Sequence, residues 1–354
     1  MQKLTTEQLL SLEQSFDAIR DDVIADLGER DAKHIRKIIR IQRSCEISGR
    51  LLLMLGFHPI PWALGAGLLG LSKILETMEI GHNVMHGQYD WMNDPHINSK
   101  TYDWDTACPG QSWKETHNHE HHTYTNILGK DRDYGYDVMR LSHEQKWHPA
   151  NLFQIVYYAV LSVFFQWGVA LHELNFDSIR RGEVSIKEKL PFLKQLGKKS
   201  ARQIFKDYIF FPLIAGPFFM QVLLGNIVAN LIRNLWSSSI IFCGHFPEEV
   251  KTFSIQECNE ESKGHWYYRQ MLGSANFNGG PLLHTLSGNL SFQIEHHLFP
   301  DIPAHRYAEI SPRVQKVAKE LGIPYHSGSF LRQYSTVIKR ILVHSLPGPK
   351  LSVA

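Results

Sequence analysis

The chain has 354 residues, 37 of them basic and 35 acidic, which gives a formal net charge of +2. This balance excludes the strongly basic character expected of a protein that binds nucleic acid. The four cysteines have no paired spacing, so neither a disulfide framework nor a cysteine zinc site is indicated, and a reducing compartment is favoured.

The polar N-terminal segment, residues 1–37, precedes the first of two strongly apolar blocks. The first block covers residues 38–75 and contains the prolines of His58-Pro59-Ile60-Pro61, which predict that one helix ends near Phe57 and a second begins at Trp62. The second block covers residues 208–246, and we expect its turn around Gly225 and Asn226. Because one membrane crossing needs about 20 residues, each block is long enough for a helical hairpin. We therefore predict transmembrane hairpins at about 38–80 and 205–246.

Basic residues flank both hairpins, whereas the predicted turns contain no lysine or arginine. The positive-inside rule then places both termini in the cytoplasm, together with a cap formed by residues 81–204 and 247–346 and a tail at 347–354. The apolar stretch 152–171 is also long enough to span. Because a crossing there would separate the histidines described next, we interpret it as an interfacial helix on the cytosolic leaflet. The flanking basic residues are Arg36, Lys37, Arg40 and Arg43 before the first hairpin, and Lys198, Lys199, Arg202 and Lys206 before the second.

Three histidine clusters lie in the predicted cap. We call them box one (His82 and His86), box two (His117, His121 and His122) and box three (Gln293, His296 and His297). Residues four apart on a helix share one face, so two imidazoles of box one or box two can reach a common point. Imidazole suits iron, copper and zinc alike, so the spacing predicts metal but leaves its identity open.

The boxes and their surroundings resemble the membrane fatty acid desaturase family. The resemblance rests on GHNVMH at 81–86, HNHEHHTYTN at 117–126 and QIEHHLFP at 293–300. It implies an all-α membrane protein with four transmembrane helices and a cytosolic helical cap that holds two iron ions without haem. It also implies that the box histidines bind iron, and that a further histidine at the end of the fourth helix does so. The implied ligands are His82, His86, His117, His121, His122, His245, His296 and His297.

Carboxylates near the boxes are expected to orient the ligand imidazoles through their second ring nitrogen. Gln293 stands where a further box histidine is otherwise expected, and binds through water or supports a neighbouring ligand. The remaining candidates for this supporting role are Glu79, Glu120, Asp131, Asp133 and Glu295.

Membership implies that the chain inserts a cis double bond into a fatty acyl chain with O2 and two electrons. No glycine-rich nucleotide loop or cysteine cluster is present, so we expect a separate NAD(P)H-linked flavoprotein reductase, with or without ferredoxin. The chain resembles stand-alone bacterial acyl-CoA desaturases, which implies Δ9 chemistry in a bacterial inner membrane.

Other interpretations remain open at this stage. The substrate is an acyl-CoA or an acyl-lipid, and the glutamine of box three resembles the front-end branch, which includes Δ6 enzymes. A di-iron fatty acid or alkane hydroxylase would use the same ligands. A zinc hydrolase needs one metal with an open position, and so many imidazoles disfavour it. A membrane haem or metal-binding protein without catalytic activity is the non-enzymatic alternative.

Overall fold

The computed structural model describes residues 4–55 and 58–348 and is predominantly helical. The predicted end of the first apolar helix near Phe57 lies outside these residues. The α-helices and single turns are Thr6–Ala25, Glu29–Met54, Pro59–Ile74, Asn83–Met85, Gly110–Trp113, His122–Tyr124, Gln154–Val163, Phe165–His172, Phe176–Arg180, Leu190–Ile204, Phe211–Ile214, Phe219–His245, Lys263–Leu272, Pro281–Leu286, Gln293–Leu298, Tyr307–Leu321 and Phe330–Ser345. Three segments are π-helical, namely Leu75–His82, Lys114–His121 and Phe205–Phe210. Short 3-10 turns occupy Asp90–Met92, Tyr134–Asp137, Pro149–Phe153, Gly216–Phe218, Leu290–Phe292 and Ala304–Arg306.

The chain divides into two compact units. The first unit comprises the described parts of Met1–Glu29, Thr116–Ala159 and Ser239–Ala354, and the second comprises Arg30–Glu115 and Val160–Ser238.

The first unit has a core of aliphatic and aromatic side chains. The Phe16 ring lies edge-on to Tyr267 and Phe299, with ring centroids 5.2 and 6.0 Å apart, and so anchors the Thr6–Ala25 helix in this core. A reciprocal pair of hydrogen bonds between Thr5 and Gln8 caps that helix, which satisfies backbone groups that its first turn leaves open.

The first unit also contains a small parallel sheet that the all-α expectation did not include. Strands Asn276–Asn278 and Ser327–Ser329 pair in register, with Phe277 opposite Gly328. The segment before the second strand follows Gly322, whose φ of 67° ends the preceding helix in the left-handed region. The strands are three residues each, too short to give a periodic signal in the sequence.

In the second unit the helices Glu29–Met54 and Pro59–Ile74 pack through glycines. A Cβ atom on Gly49 would lie 2.8 Å from the Leu69 backbone nitrogen, and one on Gly65 would lie 3.0 Å from the Leu53 nitrogen. The predicted start at Trp62 is wrong by one turn, because prolines fit the first helical turn and Pro59 begins the helix.

The predicted break at Gly225 and Asn226 is also wrong, because both lie inside the helix Phe219–His245. The interruption falls at Gly216, where φ is +56°. Gly225 is small because a Cβ there would lie 2.4 Å from the Leu53 side chain, and Asn226 Nδ2 donates to the Asp207 carbonyl at 2.6 Å. Close packing and hydrogen bonding, rather than a turn, explain these two residues.

Among the residues that the structure describes, one helical stretch is long and apolar enough to cross a membrane. It covers Gly216–His245 and has a mean hydropathy of 1.3. The stretch that we interpreted as interfacial contains two helical segments, Pro149–Val163 and Phe165–His172, bent by 103° relative to each other.

Candidate metal centre

Box two lies where a π-helix passes into a final α-helical turn, and its imidazoles are held by carboxylates. His121 Nδ1 lies 3.0 Å from both carboxylate oxygens of Asp131. Asp131 is itself fixed, because it accepts hydrogen bonds from the backbone nitrogens of Asn126 at 2.7 Å and Asp133 at 3.0 Å. The loop after box two therefore forms a rigid acceptor that directs His121 Nε2 away from Asp131.

A second carboxylate holds the neighbouring histidine in the same way. His117 Nδ1 lies 2.8 Å from Asp133 Oδ2, and the His117 and His121 rings stack with centroids 5.0 Å apart. Burial lowers the pKa of His117, although Asp133 acts in the opposite direction. Burial also opposes protonation of His121, but Asp131 and Asp133 act in the opposite direction and the pKa of that imidazole is raised. Both arrangements match the carboxylate–histidine pairs that orient metal ligands.

Box three occupies the short helix Gln293–Leu298, whose residues are all buried. His297 Nδ1 lies 3.0 Å from the Gln270 amide oxygen and 3.3 Å from Thr125 Oγ1. His296 Nδ1 lies 3.3 Å from the Tyr307 hydroxyl. In both histidines the Nδ1 atom contacts a neutral partner.

His245 ends the long helix Phe219–His245 and reaches the same place. Its Nε2 lies 3.1 Å from the amide nitrogen of Gln293, so the glutamine contacts the extra histidine. Gly244, the residue before His245, leaves room for the contact between His245 and Gln293, since a Cβ on Gly244 would lie 2.7 Å from the Gln293 side chain.

Three histidines from these separate segments converge. One ring nitrogen each from His121, His245 and His297 lies within 4.8 Å of the others, and all three residues are buried. The ring centroid of His121 lies 4.7 Å from that of His245 and 5.0 Å from that of His297. His122 stacks on His297 at 4.5 Å and meets His296 edge-on at 4.8 Å. In the first unit three buried histidines thus converge on one point, with the His122 and His296 rings packed against His297 and His122 respectively.

This arrangement fits a metal ion. The Nε2 atoms of His121 and His297 are buried without a hydrogen-bond partner among the described residues. A buried polar atom left in this state costs free energy that a bound cation would remove. Burial and the neighbouring imidazoles also hold the pKa of His297 well below its usual range, so the ring is neutral and able to bind metal.

Box one lies in the second unit, at the end of the π-helix Leu75–His82. The His82 and His86 rings are 4.6 Å apart, and Trp113 meets them edge-on at 5.5 and 5.6 Å. His82 Nδ1 lies 3.0 Å from Asn83 Oδ1, and Asn83 Nδ2 lies 3.5 Å from the buried Glu79 carboxylate. Glu79 also contacts His34 Nε2 at 3.0 Å. The supporting acid thus reaches His82 through an asparagine.

Two of the other candidate acids have different partners. Glu120 is partly exposed and accepts from Arg132 at 3.4 Å. Glu295 is buried and accepts from the Tyr325 hydroxyl at 2.7 Å and from Asn276 at 2.8 Å, which links box three to the small sheet.

The residues that sequence reasoning missed are the neutral partners of box three. They are Gln270, Thr125 and Tyr307, which come from three different segments. Thr125 lies inside the box-two string at 117–126, whereas Gln270 and Tyr307 lie outside the boxes. None of the three is an acid or a histidine, so a search for charged supporting residues does not find them.

Comparison with known proteins gives consistent results. The sequence model of the fatty acid desaturase family matches residues 58–329. An NADPH-dependent stearoyl-CoA 9-desaturase of Mycobacterium tuberculosis is 48% identical over 348 residues, which cover 97% of this chain and 82% of the relative. An sn-1 linoleoyl-lipid 6-desaturase of Synechocystis is 27% identical over 270 residues, 74% of each chain. Fatty acid desaturase 3 of Homo sapiens is 25% identical over 297 residues, which cover 82% of this chain and 63% of the relative.

Proposed function

Since the chain belongs to the fatty acid desaturase family, we propose that it inserts a cis double bond at carbon 9 of a fatty acyl-CoA. The observation that carries this proposal is the 48% identity to a stearoyl-CoA 9-desaturase across 97% of the chain. The lipid 6-desaturase that we compared is 27% identical over a smaller share, which favours acyl-CoA over acyl-lipid and Δ9 over Δ6.

The reaction is an oxygen-dependent oxidation. Two hydrogens leave adjacent methylene carbons, and O2 takes these together with two further electrons and two protons to form two waters. An unactivated methylene offers no acid, base or electrophile, so bound iron supplies the oxidising power that side chains lack. The two electrons come from a separate NADPH-linked donor, which we propose to be a flavoprotein reductase, with or without ferredoxin.

We propose two iron ions as the cofactor. The convergence of His121, His245 and His297, with buried Nε2 atoms on two of them, supports one position. The motif resemblance supports the rest of the set, including box one. The proposed ligands are His82, His86, His117, His121, His122, His245, His296 and His297.

The surrounding side chains have three tasks in this scheme. Asp131 and Asp133 hold the Nδ1 atoms of His121 and His117 and so fix which nitrogen faces the metal. Gln270 does the same for His297 without adding charge. Burial of the cluster excludes bulk water, which protects the oxidation from side reactions.

The family is membrane-associated, and the Gly216–His245 stretch is apolar enough to span. We propose that two hairpins give four crossings in a bacterial inner membrane, the first at about 38–80 and the second turning at Gly216, with its last crossing in the helix that ends at His245. Both termini and the histidine boxes would then face the cytoplasm, where NADPH is available.

Expression in a desaturase-deficient bacterial host, together with a compatible NADPH-linked reductase, tests the proposal. Gas chromatography–mass spectrometry of the fatty acids should show a new cis-9 monoene. The His297→Ala variant should abolish it, whereas His119→Ala should not, because His119 is exposed within the same motif as box two. A double bond at carbon 6, or a hydroxylated product, would refute the assignment.

A further inference from the structure

The helix Lys263–Leu272 extends from the surface to the buried histidines. Lys263 and His265 near its start are exposed, whereas Gln270 near its end is fully buried. The Gln270 side chain donates to the His122 carbonyl at 3.0 Å and contacts His297 Nδ1 at 3.0 Å. This one element therefore connects solvent with box two and box three.

Trp266 lies between the two ends of this helix. It is half-buried, and its indole Nε1 donates to the His122 carbonyl oxygen at 3.2 Å. The His122 ring in turn stacks on His297, with centroids 4.5 Å apart and planes inclined by 20°. A hydrogen bond and a short bonded path thus link a partly exposed aromatic ring to stacked imidazoles at the metal centre.

The proposed reaction requires such a link. Each O2 reduced in a desaturation consumes two electrons from outside, and the converging histidines His121, His245 and His297 are buried. A redox protein cannot bring its cofactor into contact with them. It can approach a half-exposed indole, and electron-transfer complexes are small and transient, so a limited patch is sufficient.

We propose that Trp266 relays electrons, one at a time, from a docked electron-carrying protein to the metal centre. The proposal rests on the proposed function, because it presumes a metal centre that must be reduced. Electrons pass from the reduced carrier through the indole and the His122 backbone, and the carrier is reoxidised once for each electron.

A second tryptophan of the first unit provides a matched control. Trp147 is also half-buried, and its indole Nε1 donates to a backbone carbonyl, that of Ser345, at 2.9 Å. Its acceptor lies at the end of the last helix and outside the boxes. Replacing either tryptophan by phenylalanine removes one equivalent hydrogen bond, but only Trp266→Phe interrupts the proposed route.

The test follows anaerobic reduction of the iron-loaded protein by a pre-reduced two-iron ferredoxin in stopped flow. The readout is the reoxidation of the ferredoxin chromophore, so it does not depend on product formation. We expect transfer to Trp266→Phe to be at least about tenfold slower than to the parent, and transfer to Trp147→Phe to be unchanged. Trp266→Tyr, which keeps an aromatic ring with a hydrogen-bond donor, should recover most of the rate. Equal rates in parent and Trp266→Phe, or equal slowing in both phenylalanine variants, would overturn the proposal.

A single-turnover experiment separates this proposal from the proposed function. Protein reduced with dithionite is mixed with O2 and stearoyl-CoA, and the monoene is measured. We expect the same yield from parent and Trp266→Phe, because the chemical reductant bypasses the carrier. Absence of monoene in the parent would contradict the desaturase assignment, while the ferredoxin rates would still decide the electron route. A low yield confined to Trp266→Phe would show a structural role for Trp266 and overturn the proposal.

Discussion

Replacing Asp131 by asparagine tests how far a carboxylate determines metal binding here. Both oxygens of this buried carboxylate lie 3.0 Å from His121 Nδ1. A hydrogen bond to a charged group contributes about 1.5–3 kcal/mol, and about 1.4 kcal/mol corresponds to a factor of ten. Removing the charge should therefore weaken iron binding about 10- to 100-fold, which is also the usual effect of losing the partner of a ligating histidine.

The assay is competition with a chelator. Iron-loaded parent and variant are equilibrated with increasing concentrations of chelator, and the iron retained is measured by mass spectrometry. Glu120→Gln is the matched control, because Glu120 belongs to the box-two motif but is partly exposed and accepts from Arg132. Its iron retention should equal that of the parent.

The carboxylate of Asp131 also accepts backbone hydrogen bonds, so the comparison requires a second variant. Asp133→Asn removes the partner of His117, and we expect a similar loss of iron affinity. Unfolding temperatures of the metal-free proteins show whether any loss is structural. Iron retention by Asp131→Asn within about twofold of the parent, with an unchanged unfolding temperature, would refute the role assigned to these carboxylates.

Three further predictions concern other parts of the chain. Burial, and then repulsion from His143, lowers the pKa of His344 from a usual 6.5 to about 4. Because the unfolded chain binds this proton at a higher pH than the folded chain, the free energy of unfolding should fall by about 1–2 kcal/mol as the pH drops from 6.5 to 4. The His344→Gln variant should show a weaker pH dependence of the unfolding temperature. Asp207→Asn breaks a buried ion pair with Lys73, whose Nζ lies 2.7 Å from the carboxylate, and should lower the free energy of unfolding by about 3–5 kcal/mol. The unfolding temperature in detergent should fall, and Lys73→Met in the same chain should partly restore it. An unchanged unfolding temperature in Asp207→Asn would contradict this prediction. Gly244→Ala should push aside the box-three glutamine and lower iron retention about two- to tenfold, and full retention would show that this amide is dispensable.

The histidine motifs single out candidate ligands from the sequence because the family pattern is local. Box two and box three are each contained within a few residues, so their strings identified candidate ligands before any fold was known. His245 has no such string around it. The resemblance alone singled it out, and the structure places it beside His121 and His297.

The supporting residues were harder to predict, because side-chain direction depends on tertiary packing. Asp131 and Glu120 are both acids close to box two, yet one contacts His121 and the other contacts Arg132. Gln270 is neutral and distant in sequence, although it contacts His297 as closely as Asp131 contacts His121. Charge and proximity in sequence were therefore incomplete guides.

The helix boundaries show a similar limit. Gly225 and Asn226 have turn propensity, but tight packing against Leu53 and a hydrogen bond to the Asp207 carbonyl keep them helical. Box two was interpreted with α-helical spacing, whereas the structure has a π-helix over Lys114–His121. The wider turn is a feature that apolar periodicity does not report, and such turns are frequent at functional sites.

The most direct test of the central claim is iron-dependent removal of two hydrogens by the purified protein. Metal-free protein is reconstituted with ferrous iron or with zinc, supplied with NADPH, a reductase and ferredoxin, and given stearoyl-CoA deuterated at carbons 9 and 10. We expect two irons per chain, a cis-9 product that has lost one deuterium from each of the two carbons in the iron form, and no product in the zinc form. A hydroxylated product, an equally active zinc form, or an iron form without product despite a reduced metal centre would contradict the account.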